Sequence, residues 1–355
     1  MLATVGIVAG VVLIVASLND LFQSVIVPRA VGRRYRVSFL VWRALWKAWP
    51  QLAWLLYRND SDRREDFLAI FAPFALVALL ATWTLCLLSG YALIFWTWRA
   101  HFAPQLHSFG EALYYSGTSL ATLGYGDVVA RSGAARFFSI LEALTGLAML
   151  SITTAFFFAL FGSFQSRESF VVIVGGRAGS PPSGVNLVAI AGYTKTSGHG
   201  DQLWIDAQRW AATLMESHLA YPHLAFFRSS HDNESWIGTL GCLLDAAVLV
   251  MTTLDGPPSG EARLFFNIGR HATGDLARYF SLAPRETRVE RAEFERACDR
   301  LERAGYALQP REEAWERFSN LRSSYAGELN ALAHFFSIPP LQWIGDRSTI
   351  HHHSH

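Results

Sequence analysis

The sequence predicts an all-α membrane protein with a helical soluble half, and three observations carry that expectation. Charge is absent from residues 1–18, from Phe67 to Trp98 and from Ala143 to Ser166, and each stretch is about as long as a helix needs to cross a bilayer. A shorter run of apolar and small residues, 108–121, lies between the second and third of them. Beyond Ser166 the composition is that of an ordinary soluble domain, although the chain as a whole is 51% hydrophobic over 355 residues.

The first stretch lacks a basic leading region and a small-residue cleavage site, so it reads as a retained anchor rather than a secretory signal. Arg29, Arg33, Arg34, Arg36, Arg43, Lys47, Arg58, Arg63 and Arg64 all fall between the first and second spans. The excess of basic residues assigns that segment to the cytoplasm. The amino terminus and the 99–136 segment are then expected outside, and everything after Ser166 inside. The expected location is the cell membrane, crossed three times.

Residues 38–57 are hydrophobic yet carry Arg43, Lys47 and Pro50. Trp42, Trp46 and Trp49 recur at helical spacing, with Arg43 and Lys47 on another face. That pattern predicts a helix in the cytoplasmic headgroup layer; the alternative is a helix packed on the soluble domain.

Residues 108–121, SFGEALYYSGTSLA, are too short to span and long enough for a re-entrant helix entering from outside. Ser108 is placed to cap its start, with Glu111 completing a capping box. Its C-terminal end would then carry partial negative charge toward the membrane centre. The chain returns as TLGYGDVV, and irregular backbone at that depth must be buried in protein or line a watery cavity. Gly124 and Gly126 can adopt backbone angles that other residues avoid, so successive carbonyls could face one axis, with Tyr125 pointing away behind them.

The run ALYYSGTSLATLGYGD resembles the pore helix and selectivity filter of potassium channels, over roughly residues 67–166 with both flanking spans. The resemblance implies a fold of outer helix, pore helix with filter, and inner helix, preceded here by an extra transmembrane helix. It implies domains at 1–28 (N-terminal transmembrane helix), 29–66 (loop with the Trp-rich helix), 67–166 (pore) and 167–355 (helical cytoplasmic domain). It implies that the carbonyls of Thr122, Leu123, Gly124 and Tyr125 replace the hydration shell of K⁺, with the Thr122 hydroxyl as innermost ligand. Gly126 would shape the outer mouth and Asp127 would face the vestibule. One filter per chain implies a homotetramer. Three departures from the family pattern stand out: Leu123 replaces the usual Val or Ile, Tyr114 and Tyr115 replace a common Trp pair, and Thr118 replaces an acid that partners the filter aspartate in some members.

Gly146 lies where such channels carry an inner-helix hinge; a small residue for close helix contact is the other reading. Leu147, Leu150, Thr154 and Phe158 share one helical face expected to line the cavity, with Phe158 as a dewetting gate. Phe156, Phe157 and Phe161 are expected to face lipid or other helices. Glu142 is the charged residue inside this span, and either a structural hydrogen bond behind the filter or tuning of conduction fits it. No segment has regularly spaced arginines in apolar surroundings, so voltage is not the expected trigger.

In the soluble half, FVVIVGGRAG (170–179) fails as a dinucleotide motif, because a frame from Gly175 puts Arg177 and Ser180 on glycine positions. It reads instead as continued inner helix ending in a turn. Helices are predicted at 204–220, 235–253, 285–304 and 314–338; the second is apolar enough to span, but Asp245 at its centre favours a buried core helix. Glu216, His218, His223, His231 and Asp232 fit no standard metal spacing. The cysteines Cys86, Cys242 and Cys298 form no pair, and a net charge of +1 suggests no nucleic-acid partner. No catalytic constellation is present, and no cofactor is expected beyond K⁺ as permeant ion. The function read from the sequence is a K⁺-selective channel subunit in the lipid bilayer, gated by its cytoplasmic domain. The alternatives are a cation channel of relaxed selectivity and a non-conducting, channel-like membrane sensor.

Overall fold

The computed structural model describes residues 2–27, 36–195, 200–231, 233–256, 259–285, 289–339 and 341–343. Arg29, Arg33, Arg34, Asp232, Pro257, Pro258, Pro340 and the HHHSH terminus lie outside them. The regular structure of the described residues is helical except for one pair of two-residue strands and an isolated bridge between Leu254 and Leu308. It divides into two compact units, residues 1–161 and 162–355, with the division falling inside one long helix.

In the first unit, α1 (Leu2–Val25) packs on α4 (Phe71–Thr97), and both are apolar and long enough to cross a membrane. Their backbones meet where Gly10 faces Gly90: a Cβ on Gly10 would lie 2.5 Å from the Gly90 oxygen. Small residues at such a contact let dispersion act between whole backbones, which is how helices associate in lipid. The second apolar stretch does not start its helix at Phe67. The helix α3 (Ser61–Ala69) precedes it, capped by the Asp60 side chain accepting from Arg63 N at 3.0 Å.

The Trp-rich helix forms as α2 (Val37–Leu56), continuing through Pro50. Its tryptophan face is turned to protein. Trp42, Trp46 and Trp49 all pack on Phe71 at ring distances of 4.7–5.7 Å, and Trp49 Nε1 donates to the Phe67 carbonyl at 3.0 Å. Leu40, Leu52, Trp54, Leu55 and Leu56 form the exposed apolar face instead. An acid near the end of α1 fixes the start of this helix. Asp20, 2% exposed, accepts from Ser38 N (2.8 Å), Ser38 Oγ (2.7 Å) and Trp83 Nε1 (2.7 Å). It satisfies an orphan amide of the first turn of α2 that the helix's own N-cap, Arg36, leaves open.

Next come β1 (Phe102–Ala103), α5 (Phe109–Leu120), β2 (Val129–Ala130) and α6 (Gly133–Ala178). The two strands pair antiparallel, Phe102 with Ala130, so that the entry to and exit from the intervening loop are tied together. The third apolar helix thus begins well before Ala143, and it carries on through 170–178 as expected.

The second unit holds the end of α6 with α7 (Gly184–Tyr193), α8 (Gly200–Ala220), α9 (Trp236–Thr252), α10 (Gly260–Tyr279), α11 (Arg291–Arg303) and α12 (Arg311–Phe335). The expected helix at 285–304 is shorter, starting at Arg291, where Glu290 and Glu293 form a capping box. The apolar α9 is the core of this unit. Asp245 at its centre takes Arg322 Nε at 3.0 Å and Tyr325 Oη at 2.5 Å, and Arg322 also donates to the Trp343 carbonyl. A buried charge needs such partners, and this triad explains how an apolar helix tolerates an acid.

Candidate functional site: the pore loop

Residues 104–128 form a loop closed at its base by the β1–β2 pair, with α5 descending into it. Ser108 caps α5, its Oγ accepting from Glu111 N at 3.2 Å. The reciprocal half of the expected capping box is displaced by one residue, since Glu111 Oε2 accepts from His107 N at 2.7 Å. At the other end, Leu123 N and Gly124 N both donate to the Thr118 carbonyl, at 2.8 and 3.3 Å, and Thr122 N donates to that of Ser119 at 3.0 Å. The last turn of α5 is therefore capped by the backbone that follows it.

That backbone alternates in hand. Thr122, Gly124 and Gly126 have φ of +55°, +56° and +77°, while Leu123 and Tyr125 between them do not enter the positive region. Alternation turns successive peptide groups to the same side, amides to one face and carbonyls to the other. Glycine adopts this freely, but a β-branched threonine at positive φ is a genuine outlier. Such outliers concentrate at functional sites, where the surroundings hold the strain. Among the described residues no donor bonds to the carbonyls of Thr122, Leu123, Gly124 or Tyr125. All four residues are exposed in the single chain, Leu123 at 56% and Tyr125 at 67%.

Asp127 is held by a partner that the sequence reading did not assign. The Tyr114 hydroxyl donates to Asp127 Oδ2 at 2.7 Å, and Asp127 Oδ1 accepts from Val128 N at 3.0 Å. The signal was available: Tyr114 lies one helical turn before Thr118, on the replaced Trp pair. Thr118 itself is buried and turns its hydroxyl onto the Tyr115 carbonyl at 2.9 Å.

Behind α5, the first unit's part of α6 offers a polar stripe at helical spacing. Ser139 Oγ meets Tyr115 Oη at 2.8 Å, Glu142 Oε1 meets Ser116 Oγ at 2.5 Å, and Thr145 Oγ1 meets Tyr91 Oη at 3.0 Å. Glu142 is fully buried there, in the hydrogen-bonding place that one of the two sequence readings gives it. Gly146 continues the stripe. A Cβ on it would lie 1.9 Å from the Leu120 carbonyl oxygen, so the close-contact reading has a direct physical cause.

Further along α6 lie the residues expected to line a cavity. Leu147, Leu150 and Phe158 are 54%, 65% and 75% exposed, and Thr154 is exposed as well. Phe156 is buried, whereas Phe157 and Phe161 are exposed.

In the second unit, Gly175 and Gly176 lie within helix, so 170–179 forms no phosphate-binding loop. His218 is buried, with Nδ1 2.8 Å from the Leu214 carbonyl and Nε2 3.4 Å from Arg167 Nη1. Burial, with the Arg167 charge second, pushes its pKa well below the usual histidine value. Arg167 also holds Glu168 at 2.8 Å and the carbonyls of Leu224 and Phe227. Among the described residues no group of three or more His, Cys, Asp or Glu side chains is placed to hold a metal.

A short capped helix and an alternating-hand return segment between two long apolar helices form the arrangement expected of a pore-loop ion channel. Residues 78–163 match the family described as "Ion channel", which supports an ion channel of that type in a membrane. The chain is also 23% identical over 248 residues to the uncharacterized membrane protein YdjJ of Bacillus subtilis (strain 168), covering 68% of this chain and 69% of that protein. No solved structure matches.

Proposed function

We propose that this chain is one subunit of a homotetrameric, K⁺-selective channel whose filter is Thr122–Gly126. The observation that carries the reading is the alternating-hand backbone with four carbonyls that no protein donor occupies. Four such strands around one axis would present rings of carbonyl dipoles in place of the ion's water shell. The exposed face of Leu147, Leu150, Thr154 and Phe158 supports a cavity below the filter, and four Phe158 rings would gate it by dewetting. Asp127, tethered by Tyr114, sits at the outer mouth and Gly126 shapes it. The basic 29–64 segment supports a cytoplasmic C-terminal half with the amino terminus outside. That half is joined to the pore by the chain of α6, through which it gates the pore. Transport is passive, without enzyme chemistry.

The test is K⁺ and Na⁺ flux from proteoliposomes of the purified protein, with Gly124→Ala as control. K⁺-selective flux that the substitution abolishes supports the reading. Equal K⁺ and Na⁺ flux favours the relaxed-selectivity channel, and no flux under any condition favours the silent sensor.

A further inference from the structure

The hydrogen bonds around Glu142 determine where its proton sits. Ser116 Oγ lies 2.5 Å from Glu142 Oε1 and 3.0 Å from the carbonyl oxygen of Leu88 in α4. A hydroxyl has a single proton to give, and a peptide carbonyl has none. The contact with Leu88 is a hydrogen bond only if Ser116 donates it. The proton between Ser116 and Glu142 must then belong to the carboxyl group, since two bare acceptors at 2.5 Å would repel. That separation is at the short end of O–H···O geometry.

The surroundings agree. Facing Glu142 from α4 is Tyr91, whose hydroxyl is engaged with Thr145 at 3.0 Å, and from α5 comes Ser116, while Tyr115 of α5 is engaged with Ser139. Among the described residues no cation pairs with Glu142, and its second oxygen, Oε2, is buried without a partner. An isolated carboxylate in such a place is far more costly than a neutral acid.

We propose that Glu142 is a positioning residue for the filter, held as a neutral carboxylic acid that donates to Ser116, which in turn donates to the Leu88 carbonyl. This relay ties α6 to α5 and α4 at one point. Ser116 lies two residues before Thr118, whose carbonyl caps Leu123 N and Gly124 N. The relay therefore sets the depth and tilt of the helix end from which the filter begins. It adds no fixed charge beside the ion path. The proposal rests on the channel reading above.

Infrared difference spectra of the reconstituted full-length protein test proton placement directly. Wild type is expected to show a protonated-carboxyl carbonyl band that Glu142→Gln lacks, and Ser116→Ala is expected to move that band to higher frequency as its acceptor is lost. In flux assays Glu142→Gln, whose amide N–H can donate in the same place, keeps K⁺ over Na⁺ selectivity, whereas Glu142→Ala lowers it by roughly tenfold, as loss of one buried hydrogen bond allows. The absence of a band difference between wild type and Glu142→Gln overturns the proposal. So does loss of selectivity in Glu142→Gln when wild type conducts selectively. If wild type carries no K⁺ flux the channel reading fails, and the infrared band still decides where the proton sits.

Discussion

Replacing Gly146 with alanine separates the two roles that its position allows. The added Cβ would stand 1.9 Å from the Leu120 carbonyl oxygen and 2.9 Å from its carbon, where ordinary contact begins near 3.4 Å. Relief requires α6 to withdraw from the end of α5 by roughly 1.5 Å, and the atoms in the way are backbone. Overpacking of this kind costs about 1–3 kcal/mol per chain. Against it stands the intrinsic preference of helix interiors for alanine, about 1 kcal/mol. The close-contact account therefore predicts net destabilisation, seen as a lower Tm in detergent. Leu120 is two residues before Thr122, so K⁺ over Na⁺ selectivity should fall with it. A residue serving only as a hinge gives the opposite sign for stability, because alanine stiffens a helix that no longer needs to bend. An unchanged or raised Tm with intact selectivity in Gly146→Ala would refute the contact account.

Three further outcomes follow from the same geometry. Tyr114→Phe removes the tether on Asp127; the pair is exposed, so global stability should change by less than about 1 kcal/mol, while K⁺ flux after onset should decay faster than in wild type. Asp20→Ala strands Ser38 N and Trp83 Nε1 at about 1–3 kcal/mol each, and protease should cleave around α2 much more readily than in wild type, with unchanged cleavage contradicting the role given to Asp20. His218 titrates below its unfolded value, so the unfolded chain binds the extra proton first as pH falls. Its contribution is complete above about pH 6.5 and erodes below that; thermal stability of the second unit should drop on acidification, and His218→Asn should flatten that slope.

The geometry of the 104–128 loop was legible because its signals are local. Ser108, Gly124 and Gly126 fall within one short stretch, and the angles that glycine permits can be argued from the residue type alone. The left-handed Thr122 could not be read so, since the amides capping Thr118 and Ser119 impose it. Nor could the role of Asp20, whose partners Ser38 and Trp83 lie on other helices. The tryptophans of α2 were found at the right spacing, but their partners Phe67 and Phe71 could not be named from it. Helical period reports that one face differs from the other; it does not report whether that face meets lipid or Phe67 and Phe71. Asp245 was correctly taken as a sign of a buried helix, although Arg322 and Tyr325, which make it tolerable, lie far along the chain.

The central question is whether the carbonyls of Thr122 to Tyr125 replace water around K⁺. Flux of K⁺ and Na⁺ through purified protein in liposomes, with Gly124→Ala beside it, measures this directly. Alanine at φ +56° adds about 1–2 kcal/mol of strain per chain and turns the peptide out of line. K⁺ flux well above Na⁺ is expected in wild type, with loss of that preference in the variant. Equal fluxes in wild type, or a variant as selective as its parent, would contradict it.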